Sequence, residues 1–97
     1  MREKAIERQL VSAVKRLGGL CPKFISPGFD GMPDRLVLFP GGRLAFVEVK
    51  APGKTLCPLQ VRRKGQLEEL GFRVYMIDRL EQIQDILNEI MTGGDAQ

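Results

Sequence analysis

The sequence predicts an α/β domain in which helices flank a mixed β-sheet. Apolar residues recur at helical spacing near both ends of the chain, and residues 34–50 have the pattern of a tight β-hairpin. A strand–helix–strand pattern follows, and together with the hairpin it gives a mixed sheet. The predicted order is α-β-β-β-α-β-α. The 97 residues suit a single domain over 1–97, with 93–97 as a loose tail.

The first two predicted elements precede the hairpin. A helix is expected over residues 2–17, and Gly18-Gly19 should end it. Its apolar residues at helical spacing are Ile6, Leu10, Ala13, Val14 and Leu17. Residues 20–26, LCPKFIS, predict a short strand that Pro22 interrupts near its start.

The remaining elements alternate between strands and helices. Strands are predicted over 34–39, 43–50 and 72–77, with Pro-Gly-Gly as the turn between the first two, and a helix over 58–70. The last helix should begin after Asp78, which we expect to cap it together with Glu81 in a capping box. Its apolar stripe consists of Leu80, Ile83, Leu87 and Ile90.

Composition excludes several classes of function. The chain contains no histidine, which excludes Ser-His-Asp and Cys-His catalysis and nucleases built on histidine. Cys21 and Cys57 lie far apart and form no metal-binding pair, so both are expected to be reduced thiols. No apolar run is long enough for a membrane span or a secretion signal, so we expect an intracellular, cytoplasmic protein with no membrane partner. A phage or bacterial source would fit a solitary domain.

Charge is distributed unevenly along the chain. Residues 1–64 hold 13 of the 15 basic residues, whereas residues 65–97 hold 7 of the 12 acidic ones. Any single surface charge is usually just solvated, but this asymmetry as a whole indicates one face suited to a polyanion.

The hairpin brings two carboxylates together. If Phe39 faces Arg43 across the three-residue turn, Asp34 faces Glu48. Directly opposed like charges are destabilising, and a hard divalent cation would offset the repulsion. A bulge or a four-residue loop would shift this register by one.

Two neighbouring groups extend the site. Side chains alternate along a strand, so Glu48 and Lys50 point the same way. Val49 points to the other side, but its backbone carbonyl lies between the two acidic positions, within possible reach of a metal. By itself an E-x-K tripeptide would indicate only surface charges. The in-register Pro-Asp upstream favours a site instead.

These motifs resemble those of a known family. The pattern G-x-P-D, then strand, turn and strand to E-V-K, then a glutamine that opens the next helix, resembles the PD-(D/E)XK nuclease superfamily and more closely its VRR-NUC branch. The matching residues are Gly31, Pro33, Asp34, Glu48, Lys50 and Gln60. The resemblance implies a restriction endonuclease-like core and a catalytic set of Asp34, Glu48, Lys50 and Gln60. The family often has a bulky apolar residue where this chain has Arg63.

A further acid is implied by the first helix. The stretch AIERQLV resembles the first helix of archaeal Holliday-junction resolvases, in which a glutamate completes the metal site, and it maps to Glu7. Glu3 remains the rival. The implied ligands of Mg²⁺ or Mn²⁺ are Glu7, Asp34, Glu48 and the Val49 carbonyl.

The implied activity is metal-dependent, structure-selective endonuclease cleavage of DNA. Stand-alone members of the branch resemble Holliday-junction resolvases, so the expected substrate is a four-way junction and the expected assembly a homodimer. A flap, nicking or restriction-type endonuclease and a non-catalytic DNA-binding module remain alternatives. The expected DNA-binding residues are Arg35, Lys54, Arg62, Arg63 and Lys64. The basic residues of the first helix and Lys23 are further candidates for phosphate contact.

Overall fold

A computed structural model of the protein describes residues 2–93. It contains three helices and three strands, in the order α1 (Glu3–Arg16), β1 (Arg35–Phe39), β2 (Arg43–Val49), α2 (Pro58–Glu69), β3 (Arg73–Ile77) and α3 (Glu81–Met91). These elements confirm the predicted α/β class. Apart from Gly93, the predicted loose tail lies outside the described residues.

The sheet is mixed, as predicted. Its strand order is β1-β2-β3, with β1 antiparallel and β3 parallel to the central strand β2. The hairpin register pairs Phe39 with Arg43 and Arg35 with Val47. The predicted register of Phe39 with Arg43 is confirmed, and one further step along it leads to Asp34 and Glu48.

The strand predicted over residues 20–26 is only partly formed. This segment lies antiparallel beside β1, but it makes only two isolated bridges, Leu20 with Leu38 and Lys23 with Arg35. Pro22 lies between them and has no N–H to donate, although its carbonyl accepts a hydrogen bond from the Leu36 N–H at 3.0 Å. The interrupted ladder is therefore an edge segment and not a fourth strand.

The two faces of the sheet carry different cores. Helices α1 and α3 cover one face, where Ile6, Leu10, Leu87 and Ile90 pack on alternate strand residues. On the other face, Leu67 of α2 packs with Phe46 and Val74. Because β2 alternates, Val47 and Val49 join the first core and Glu48 points toward the face with α2.

The start of α3 differs from the expected capping box. The Asp78 carboxylate accepts a hydrogen bond from the Gly53 N–H at 3.3 Å instead of capping the helix. Gln82 takes the predicted role of Glu81, because its Oε1 accepts from the N–H groups of Asp78 and Arg79 at 2.8 and 3.1 Å. Asp78 thus anchors the loop that follows β2.

Gly31 allows the loop before β1 to approach α2. Its φ is +91°, and a Cβ built there would lie 2.6 Å from Leu59 Cγ. Gly28 in the same loop has φ +79° but open space around it. The glycine of the G-x-P-D motif is therefore required both by its backbone conformation and by the close packing against α2.

We expect Gly31→Ala to destabilise the protein by about 2–4 kcal/mol, because a left-handed conformation and an overpacked contact are both penalised. Gly28→Ala is the matched control and should cost only about 1 kcal/mol. Urea unfolding followed by circular dichroism measures both. Equal losses for the two variants would show that the contact with Leu59 is unimportant.

Candidate active site

Four predicted catalytic residues meet at one end of the sheet. Asp34 directly precedes β1, Glu48 lies near the end of β2 and Lys50 directly follows it. Gln60 lies in the first turn of α2, on the face of the sheet toward which Glu48 points. The hairpin and the helix thus bring together residues from three separate parts of the chain.

Glu48 is the one charged side chain that is buried among residues 2–93, with 8% of its surface exposed. Its Oε2 accepts a hydrogen bond from Gln60 Nε2 at 3.0 Å and lies 3.8 Å from Lys50 Nζ. Burial raises the pKa of Glu48 to about 7, and the facing Asp34 charge adds to this effect while Lys50 opposes it.

Asp34 is in a similar environment. Its pKa is raised first by desolvation and then by the negative charge of Glu7, whereas the backbone N–H of Val49 works in the opposite direction. Desolvation and neighbouring acids thus raise the pKa of both carboxylates, and a nearby positive charge would stabilise both in the ionised form.

Gln60 connects the helix to the buried acid. Its Oε1 accepts from the Cys57 N–H at 3.0 Å, which satisfies a free donor at the start of α2, and its Nε2 donates to Glu48. The first contact orients the amide so that its donor side faces the carboxylate. Gln60 thus holds one oxygen of Glu48 and leaves the other free.

The unsatisfied oxygens are the clearest chemical feature of the site. Asp34 Oδ1 and Glu48 Oε1 are buried and have no hydrogen-bond partner within residues 2–93. Buried carboxylate oxygens without donors are costly, and paired carboxylates are the ligands that Mg²⁺ and Mn²⁺ prefer. This donor set fits a hard divalent cation.

Glu7 is near these acids but is engaged elsewhere. Its Oε2 accepts from Arg35 Nε at 2.9 Å, and Arg35 also donates to the Cys21 carbonyl at 2.7 Å. No three His, Cys, Asp or Glu side chains within residues 2–93 form a group arranged to hold a metal. Glu7 raises the pKa of Asp34 more than Glu3 does, which favours Glu7 as the helix acid. Its role as a ligand, like that of the Val49 carbonyl, stays a prediction.

Of the five predicted DNA-binding residues, three contact other parts of the chain and two are exposed. Arg35 and Lys64 make ion pairs within the chain, to Glu7 and Glu68 respectively. Arg63 Nε donates to the Asp30 carbonyl at 2.7 Å and its guanidinium lies 3.8 Å from the centre of the Phe29 ring. Lys54 and Arg62 are exposed.

The contacts of Arg63 explain the departure from the family pattern. The side chain holds the loop before β1 against α2, the packing role that a bulky apolar residue would otherwise fill. Sequence reasoning missed this role because the partners, Phe29 and Asp30, are far away along the chain.

A second set of basic residues lines a groove and is therefore better placed to contact phosphates than the sequence indicated. Lys4, Arg8, Lys15 and Lys23 line one side of a groove beside α1, together with Arg35. The spacing of 4, 8 and 15 along a helix is the signal that would have identified a common face.

Comparison with known proteins identifies a relative and a solved structure that are similar to this chain. No protein-family model matches the chain. It is 49% identical over 78 residues to "Putative nuclease p44" of Acyrthosiphon pisum secondary endosymbiont phage 1, covering 80% of this chain and 84% of that protein. A solved structure described as "VRR_NUC domain" superposes with a TM-score of 0.84 at 29% identity, covering 89% of this chain and 94% of the other.

The raised pKa of Glu48 predicts an unusual pH dependence of stability. The folded protein binds the proton of the Glu48 carboxyl group more tightly than the unfolded chain does. The stability that the folded protein gains from this proton is therefore complete below about pH 4.5 and is lost as pH rises through 7. In EDTA at pH 8, Glu48→Gln should therefore be more stable than the wild type, by about 2–3 kcal/mol.

Thermal unfolding between pH 4.5 and 8 measures this difference, with Glu69→Gln as an exposed control that should behave as the wild type. The gain should shrink toward pH 4.5. A Glu48→Gln protein that is less stable than the wild type at pH 8 would contradict the pKa assignment.

Proposed function

Because the chain belongs to the VRR-NUC family of nuclease domains, we propose that it is a divalent-metal-dependent endonuclease that hydrolyses DNA phosphodiester bonds. The observation that supports this most strongly is the pair of buried, unsatisfied carboxylate oxygens on Asp34 and Glu48, with Lys50 beside them. The phage relative is itself named a nuclease.

Asp34 and Glu48 would hold Mg²⁺ or Mn²⁺ through these oxygens, with the Val49 carbonyl and Glu7 as further ligands. A bound cation would lower the pKa of a water molecule and stabilise negative charge on the phosphate. Gln60 keeps Glu48 oriented through its amide. The ion pair of Glu7 with Arg35 would have to loosen for Glu7 to contribute.

Lys50 supplies the positive charge of the site. Its ammonium group lies at the exposed side of Glu48, with 21% of the side chain accessible. From there it would position the attacking water and stabilise the charge that develops on the scissile phosphate. Gln60 acts on this step only indirectly, since it holds the carboxylate that Lys50 contacts.

We propose a branched DNA substrate, in particular a four-way junction, cut by a homodimer. A two-fold dimer places two sites symmetrically, which matches the symmetry of a junction. A largely apolar depression of about 270 Å³ is a suitable dimer surface, and it is lined by Phe29, Met32, Leu67 and Leu70 together with Arg63 and Gln66. Leu70 is 73% exposed, and burying it would be favourable.

Two alternatives change the substrate or the class. A flap, nicking or restriction-type endonuclease would use the same residues on different DNA. A non-catalytic DNA-binding module is less well supported, because a binder has no use for two neighbouring carboxylates that each keep a buried oxygen without a hydrogen-bond partner.

The proposed setting is DNA inside a bacterial cell. No helix within the described part of the chain is long and apolar enough to cross a membrane. The relative belongs to a phage, which supports action on phage or host DNA in the cytoplasm. Cys21 and Cys57 are free thiols, in keeping with reduced surroundings.

Asp34→Asn and Lys50→Ala should each reduce cleavage by about 100-fold or more, since each removes a group that stabilises the transition state. The assay uses labelled four-way, flap and linear DNA with Mg²⁺ and with Mn²⁺. Arg43→Gln, which removes an exposed cation at the turn end of the hairpin, is the control and should retain activity. Full cleavage by either site variant would contradict the catalytic assignment.

Paired symmetrical nicks on the four-way junction should accompany this activity. Cleavage confined to flaps would contradict the junction substrate and leave the chemistry intact.

Light scattering after gel filtration should give about twice the 10.9 kDa mass of the chain. Leu70→Glu should shift the protein to the monomer because it places a charge in the apolar depression. A wild type that is monomeric at high micromolar concentration would contradict the homodimer.

A further inference from the structure

A groove runs along α1 next to the candidate active site. It has a volume of about 680 Å³, and we call it the α1 groove. Its lining residues include five cations and a single acid, and they are Lys4, Glu7, Arg8, Gln9, Val11, Ser12, Lys15, Lys23 and Arg35. Because Glu7 and Arg35 pair with each other, four cations remain without a counter-charge from the lining.

The helix arranges three of these cations along one line. Lys4, Arg8 and Lys15 are separated by four and seven residues, which places them on one face of α1. At 1.5 Å per residue, the line is about 16 Å long. This length equals the rise of about five base pairs of duplex DNA.

These four cations are exposed and make no ion pair within residues 2–93. By contrast, Lys64 and Arg73 each lie within 4.0 Å of a carboxylate. Four like charges around one concave surface repel one another, and a polyanion would remove that repulsion. The charge of the groove therefore indicates an anionic ligand of extended shape.

The α1 groove borders the candidate active site. Arg35, at its edge, is the chain neighbour of Asp34, and Lys23 pairs with Arg35 in an isolated bridge. Glu7 also lines the groove, and its carboxylate pairs with Arg35 at 2.9 Å. A strand bound in the groove would thus enter the site from the α1 side.

We propose that the α1 groove binds the phosphate backbone of duplex DNA beside the cleavage site, through Lys4, Arg8, Lys15 and Lys23. This deepens the nuclease proposal and rests on it. The lysine and arginine side chains contact phosphates, so the groove supplies affinity and orientation without sequence preference. It assigns the main binding surface to α1, and not to the basic run of α2 at Arg62, Arg63 and Lys64.

The test measures binding of a fluorescent 20-base-pair duplex in EDTA at several salt concentrations, by anisotropy. Arg8→Gln/Lys15→Gln is compared with Arg43→Gln/Arg79→Gln, a control that removes the same charge from exposed positions outside the groove. The groove variant should bind at least about 10-fold more weakly at 0.1 M salt, with a salt slope shallower by about 1.8. The control should stay within about 3-fold of the wild type.

Circular dichroism must show that both double variants are folded, and Arg8→Lys/Lys15→Arg should restore binding because it keeps the charges. Equal weakening of the two double variants would show that only net charge matters and would overturn the proposal. Tighter binding of an RNA duplex than of DNA by the wild type would also overturn it.

A parallel cleavage assay with Mn²⁺ separates this proposal from the nuclease function. If the wild type cuts DNA and the groove variant binds as the wild type does, the groove assignment alone fails. If the wild type neither cuts nor binds DNA, both proposals fail.

Discussion

The site is organised around one unfavourable interaction, the opposition of Asp34 and Glu48 at the open end of the β1–β2 hairpin. The register that pairs Phe39 with Arg43 fixes the turn and the apolar alternation of both strands, and it forces the two acids together. A one-residue slip would separate them, but it would also turn Val47 and Val49 out of the main core. The core therefore holds the carboxylates in place at a cost in free energy.

The surrounding elements limit that cost without removing it. Gln60 donates to one oxygen of Glu48, and Lys50 provides partial charge compensation at 3.8 Å. Helix α2 can present Gln60 because its own first turn satisfies the other end of the amide. Gly31 brings the loop before Asp34 into contact with the same helix. One oxygen on each acid is left for a ligand that the protein itself does not supply.

Sequence patterns predicted most of this arrangement. The three-residue turn and the alternation of residues 43–50 were sufficient for the hairpin register. Helical spacing located α1 and α3, and the proline in its first turn located α2. The strand predicted over 20–26 is only partly formed, because Pro22 has no N–H to donate to the ladder with β1. The Asp78 cap was wrong because its carboxylate bonds to Gly53, a contact between distant residues.

The side-chain partners of the cations were the least predictable feature. Arg35 and Arg63 looked like phosphate contacts in the sequence, but both hold other parts of the chain together. The basic residues of α1 and Lys23 were further candidates for phosphate contact in the sequence, and the structure places four of them along one groove. Long-range packing decides which cations pair with other parts of the chain, whereas helical spacing indicates only that the cations of α1 share a face.

The central claim is that the facing carboxylates form a divalent-cation site. Isothermal titration calorimetry with Mn²⁺ at pH 7.5 tests it directly on the wild type, Asp34→Asn and Glu48→Gln, with Glu69→Gln as a control. We expect the wild type and the control to bind Mn²⁺ saturably and both site variants to lose this binding. All four proteins should remain folded. No saturable binding by the wild type, or binding that survives both substitutions, would contradict the claim.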